Sequence, residues 1–267
     1  MKRGFTLISV FLFMLLFAAA CSNNENSNPS TDKQEPEENV DLTISAAASL
    51  KDAMDEIQAT YEEEHPEVTL KFNFGASGSL QQQISQGAPV DLFFSAAEDK
   101  FDLLVADGMI AEEDGIDLLG NELVLVVSKE NSSVQSFEDL AKADVKKISI
   151  GTPETVPAGK YAKESLEKMD IWQDAESKIV FAKDVRQVLS YVETGNVDAG
   201  IVYKTDALVS DKIEIVASAD PKTHTPIIYP VGIIKDSKHY DAAKEFYEYI
   251  QTEKALKVFE EYGFTTQ

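Results

Sequence analysis

Thr43-Ile44-Ser45-Ala46 is a short, largely apolar run. The residues after it, Leu50, Ala53, Met54, Ile57 and Tyr61, recur at the three- and four-residue spacing of a helix with one buried face. Next, Val68, Leu70, Phe72 and Phe74 alternate with Thr69, Lys71 and Asn73, the two-residue period of a strand with one face in a core. Working outward, further strand candidates are Leu92-Phe93-Phe94, Leu123 to Val127, Ile148-Ser149-Ile150, Ala199 to Tyr203 and Ile213 to Val216. Helical patterns fall between them at 99 to 107, 160 to 169 and 185 to 194, with a last one at 241 to 260. Strands interleaved with helices predict mostly parallel sheets covered by helices, an α/β protein. No internal repeat is visible.

Composition narrows the function. The chain has 267 residues, 43% of them hydrophobic, which is enough for a sizeable core. Its 24 Lys and Arg face 47 Asp and Glu, a net charge of -23 that repels phosphate backbones, so no nucleic acid is expected as a partner. The single cysteine, Cys21, excludes an intramolecular disulfide and a Cys-rich metal site.

Residues 1–20 read as a separate object. Lys2 and Arg3 precede a stretch from Phe5 to Ala20 that is apolar apart from Thr6 and Ser9, and Ala18-Ala19-Ala20 supplies small residues for processing. Cys21 follows at once, and here the chain resembles a bacterial lipoprotein precursor. That resemblance implies lipidation at Cys21, cleavage before it, and attachment to an extracytoplasmic membrane face; an ordinary cleaved signal with an incidental cysteine is the alternative. After Cys21, residues 22 to 40 are rich in Asn, Ser, Glu and Pro and cannot build a core, so 21–40 is expected to be a lipidated cysteine and an acidic tether.

Four strand-to-helix turns carry the chemistry. Ser49 with Asp52 three residues on has the capping-box pattern, and Gly75-Ala76-Ser77-Gly78-Ser79 opens onto Leu80 to Ile84. Pro157-Ala158-Gly159 and Asp184-Val185-Arg186-Gln187 open two more helices. In an open parallel sheet such helix starts lie beyond the carboxyl ends of the strands, and their unpaired N–H groups attract anions. The plainer reading is that these are caps and nothing more. Lys160, Lys183 and Arg186 stand beside the turns and are expected on solvated helix faces.

Six motifs taken together go further. Ala46-Ala47-Ala48-Ser49-Leu50, Gly87-Ala88-Pro89-Val90-Asp91-Leu92-Phe93, Val156-Pro157-Ala158-Gly159, Asp184-Val185-Arg186, Gly200-Ile201-Val202-Tyr203 and Tyr262-Gly263-Phe264 resemble, in order, the periplasmic molybdate-binding proteins of ABC importers. The resemblance implies a two-lobed type II periplasmic-binding fold whose lobes are joined by two crossing strands. Lobe 1 is expected at 41–121 plus 229–267 and lobe 2 at 122–228, with crossings near Gly120-Asn121-Glu122 and Ile228-Tyr229-Pro230. It also implies an oxyanion held between the lobes by the hydroxyl and N–H groups of Ser49 and Ser77, the N–H groups of Ala158 and Val185, and the phenol of Tyr203. Molybdenum would enter only as molybdate through these five residues. Molybdate and tungstate would be transported ligands, with no cofactor, and the partner would be an ABC permease served by a monomer.

The principal alternative is a binder of another tetrahedral oxyanion such as sulfate or thiosulfate. A secreted hydrolase fits worse. The Ser77 turn lacks the last glycine of a nucleophile elbow, and none of His65, His224 or His239 stands in a catalytic motif, so no enzymatic activity is expected.

Overall fold

The computed structural model describes residues 39–130 and 133–267; the expected leader, lipidated Cys21 and the tether as far as residue 38 lie outside the described residues. The first strand, β1 (Val40–Ala47), pairs with its neighbour from Val40 onward.

The chain alternates as its periodicity predicts. After β1 come α1 (Lys51–Glu64), β2 (Val68–Gly75), α2 (Ser77–Ser85), β3 (Leu92–Phe94), α3 (Glu98–Ala106) and β4 (Gly115–Gly120). The middle of the chain forms β5 (Leu123–Ser128), β6 (Ile148–Gly151), α4 (Pro157–Lys168), α5 (Trp172–Glu176), β7 (Ile179–Ala182), α6 (Val185–Glu193), β8 (Ala199–Tyr203), α7 (Lys204–Leu208) and β9 (Ile213–Ser218). The remainder is β10 (Ile228–Ile233), α8 (Tyr240–Tyr249), α9 (Glu253–Glu261) and β11 (Thr265–Thr266). The helical pattern at 241 to 260 is therefore two helices. Thr252 separates them, its side chain accepting from the N–H of Ala255 and starting α9 afresh.

Two sheets organise these elements. One has six strands in the order β11-β4-β10-β3-β1-β2, the other five in the order β7-β6-β8-β5-β9. Each contains a parallel triplet, β2-β1-β3 in the first and β7-β6-β8 in the second, extended by antiparallel strands. The chain passes from the first sheet to the second between Gly120 and Leu123 and returns between Ser218 and Ile228, which gives two lobes joined by two crossings. On the return strand the pairing with β4 slips between Tyr229 and Pro230, where proline has no N–H to offer.

Burial follows the sequence pattern. Leu42, Ile44 and Ala46 of β1 are fully buried, as are Leu50, just before α1, and Met54 and Ile57 of α1. Among the described residues no helix is long and apolar enough to cross a membrane.

Candidate functional site

The parallel triplets determine where a ligand can sit. β1 and β2 run side by side, so the turns that follow them, at Ser49 and Ser77, emerge at the same edge of the first sheet. β6 and β7 do the same in the second sheet and bring together the turns at Ala158 and Val185. The two edges face each other. Ser49, Ser77, Ala158, Val185 and Tyr203 all line one cavity, with Ala48, Ala76, Ala96 and Pro157 among its other walls. All five are buried, none more than 4% exposed.

The local geometry explains which groups are free. Ser77 is the first residue of α2 and Val185 of α6, while Ala158 is the second of α4 behind Pro157. N–H groups in these positions have no partner within their own helix, and the helix dipole adds partial positive charge. Asp184 caps α6 by accepting from the N–H of Gln187 at 2.8 Å, which leaves the N–H of Val185 to the cavity side of the turn.

Ser49 departs from its expected role. It lies in a 3-10 turn, Ala48–Leu50, and forms no side-chain cap. Its Oγ instead lies 2.9 Å from the Tyr229 hydroxyl, and Asp52 is paired with Arg186, so the capping box is not built. Ser77 Oγ accepts from the N–H of Ala96 at 2.9 Å. The phenols of Tyr161 and Tyr203 both point at the Ala96 carbonyl, at 3.4 and 3.5 Å, long enough to leave the Tyr203 proton open to a better acceptor. Burial pushes the Tyr203 and Tyr229 phenols far above their ordinary value, with Tyr229 and Asp206 as the next contributions, so both remain protonated donors.

Charge is kept away from the cavity. Among the described residues lining it, none is charged. Arg186, expected on a solvated face, is instead three-quarters buried: its guanidinium pairs with Asp52 of the other lobe, and its Nε lies 2.8 Å from Oδ1 of the fully buried Asp206. Burial pushes the Asp206 carboxyl up to about 7 even though Arg186 pulls it down. Lys160 also departs from expectation, reaching Asp99 of the other lobe at 3.2 Å, whereas Lys183 is solvent-exposed as its position suggests. The lobes also meet at Gly78, whose N–H donates to the Thr155 carbonyl at 3.0 Å.

Gly87 to Phe93 does not line this cavity. Asp91 instead fastens the start of β3, accepting from the Thr43 N–H at 2.7 Å and the Ser237 hydroxyl at 2.6 Å. A larger, mainly apolar cavity of about 380 Å³ lies there, at the opposite ends of the lobe 1 strands. The cavity between the lobes is far smaller, about 10 Å³ on the same scale, the room of about one water. Sequence reasoning missed Tyr161, Ala96 and the pairing of Arg186. Asn121 and Tyr229 were visible only as crossing residues.

A small, uncharged, donor-lined chamber between two lobes is the architecture of a solute-binding protein, and residues 42–265 match the bacterial extracellular solute-binding protein family. The chain belongs to that family. As a member it is an extracytoplasmic solute-binding protein and not an enzyme. It is 57% identical over its full length to YvgL of Bacillus subtilis strain 168, described as an ABC transporter substrate-binding lipoprotein. It is 35% identical to the molybdate-binding protein ModA of Haemophilus influenzae, over 85% of this chain and 90% of that protein. Among solved structures, it matches a substrate-binding domain attributed to a molybdenum ABC transporter of Clostridium difficile, with 48% identity and a TM-score of 0.67. That match covers 85% of this chain and 99% of the other.

Proposed function

We propose that this solute-binding protein captures molybdate, and tungstate with it, in the cavity between its lobes and delivers it to an ABC permease. The observation that carries the reading is the chamber itself: Ser49, Ser77, Ala158, Val185 and Tyr203 converge on it, and no charged side chain lines it among the described residues. A doubly negative tetrahedral ion has acceptors pointing in every direction. One long cation would satisfy one corner and leave the others bare, whereas short donors from both lobes surround it. The kinship with ModA and with the molybdenum-transport domain supports the choice of molybdate.

Under this reading the lobes are 41–121 with 229–267, and 122–228, closing on the ion about the crossings at Asn121 and Tyr229. A lipid anchor at Cys21 accords with the lipoprotein description of YvgL, and delivery by a monomer belongs to the same reading. Calorimetry and thermal unfolding of the purified protein against molybdate, tungstate, sulfate, thiosulfate and phosphate test it. Molybdate and tungstate should raise the unfolding temperature at micromolar concentration while sulfate does so weakly. Tighter binding of sulfate or thiosulfate would transfer the site to the alternative anion, and no response to any oxyanion would end the proposal.

A further inference from the structure

A hydroxyl carries one proton and can either donate it to a guest or spend it on the protein. Which of these Ser49 does is decided by groups outside the cavity. Asn121, on the first crossing between the lobes, accepts from the N–H of Glu122 through Oδ1 at 2.8 Å. That bond orients the amide, so Nδ2 faces the Tyr229 hydroxyl at 3.1 Å and Thr205 Oγ1 at 2.9 Å. An amide nitrogen only donates. The Tyr229 oxygen therefore accepts from Asn121, which leaves its own proton available for Ser49 Oγ at 2.9 Å, a contact in which either oxygen can be the donor. With Tyr229 as the donor, Ser49 accepts there and has its proton left for the cavity. Ser77 reaches the same state by a shorter route, accepting from the Ala96 N–H.

We propose that Tyr229, oriented by Asn121, is a positioning residue that turns the Ser49 hydroxyl outward as a donor, so that the chamber prefers oxyanions bare of protons. A guest such as hydrogen phosphate brings an O–H of its own and finds no acceptor at this corner. The inference rests on the oxyanion reading above and adds to it a source of discrimination that none of the five lining residues carries alone. Tyr229 is buried against Tyr203 and Phe264, with ring centroids 5.8 and 5.4 Å away, so phenylalanine preserves its packing while deleting the proton.

The experiment compares molybdate with inorganic phosphate by calorimetry on the full mature protein, in the wild type and in Tyr229→Phe, Asn121→Asp, Ser49→Ala and Ser49→Ala/Tyr229→Phe. In Tyr229→Phe the Ser49 hydroxyl is free to rotate and accept, so the ratio of molybdate to phosphate affinity should fall about tenfold, the scale of one hydrogen bond. In the Ser49→Ala background the same change should move the ratio less than about twofold. Asn121→Asp reverses the relay: a carboxylate accepts from Tyr229, Tyr229 accepts from Ser49, and the serine proton is drawn away from the guest. Its added charge weakens both anions, but the reversed hydroxyl should lower the ratio at least as far as Tyr229→Phe does. Equal weakening of both anions in Tyr229→Phe, or an undiminished effect without Ser49, would overturn the inference and leave molybdate capture standing. A wild-type protein that binds neither anion would overturn the oxyanion reading itself.

Discussion

The two walls of the cavity are built from different material. Lobe 1 presents hydroxyls, Ser49 bonded to the Tyr229 hydroxyl and Ser77 accepting from the Ala96 N–H. Lobe 2 presents mainly peptide N–H groups, at Ala158 and Val185, and a single phenol, Tyr203. Side-chain donors can be removed by one substitution; main-chain donors can only be displaced. Lobe 1 should therefore be sensitive to what its residues are, and lobe 2 to where its backbone lies.

The largest effect should come from moving the lobe 2 backbone. Gly159 follows Ala158 at the start of α4, and a Cβ there would lie 1.9 Å from the Gly151 carbonyl oxygen. In Gly159→Ala the helix must lift from β6 and carry the Ala158 N–H with it. Such overpacking costs about 1–3 kcal/mol or more, and molybdate affinity should fall more than about a hundredfold, with a lower unfolding temperature. Retained affinity by calorimetry would show that the α4 start is not part of the cage.

Next come the lobe 1 hydroxyls. Ser49→Ala and Ser77→Ala should each cost about 1.5–3 kcal/mol of binding, roughly ten- to more than a hundredfold, and Tyr203→Phe should fall at or just below that range. If all three variants bind like the wild type, the contrast between the walls disappears along with the site.

A smaller effect concerns stability and belongs to lobe 2. The Asp206 carboxyl has an ordinary pKa of 3.8, and burial pushes it to about 7 in the folded protein. The folded state thus holds a proton that the unfolded chain releases, so this group's contribution is fully present below about pH 4. It is lost as pH rises to about 7 and is constant above. Asp206→Asn should remove that dependence. Urea unfolding at several pH values should show the wild type losing ground to the variant by up to about 1.4 kcal/mol per pH unit inside this window. A difference that does not vary with pH would mean that the carboxyl titrates normally.

The smallest change should be Val185→Ala, which leaves the N–H in place and shifts affinity less than about threefold. A loss as large as that of Ser77→Ala would mean that the Val185 side chain, not its peptide, shapes the wall.

The alternation that begins at Thr43 revealed the α/β architecture because periods of two and 3.6 report burial directly. The four strand-to-helix turns were legible for the same reason, since each lies where one period gives way to the other. Local pattern misled where a distant partner prevailed. Ser49 and Asp52 have the spacing of a capping box, yet Tyr229, 180 positions away, holds one and Arg186, 134 positions away, holds the other. Lys160 and Arg186 read as solvated because a helix face facing another lobe looks, in one dimension, like a face toward water. Asn121 was legible only as part of a crossing; its bond to Tyr229, 108 positions away, depends on the two crossings lying side by side.

Gly78 has a consequence for the working cycle. A Cβ at that position would stand 2.8 Å from the Thr155 carbonyl oxygen, against backbone that cannot swing aside. Any larger residue would act as a doorstop wedged in the seam, holding the jaws ajar with the serines still able to greet an ion. Such a protein would catch its cargo loosely and never adopt the shut outline that a transporter could read as loaded.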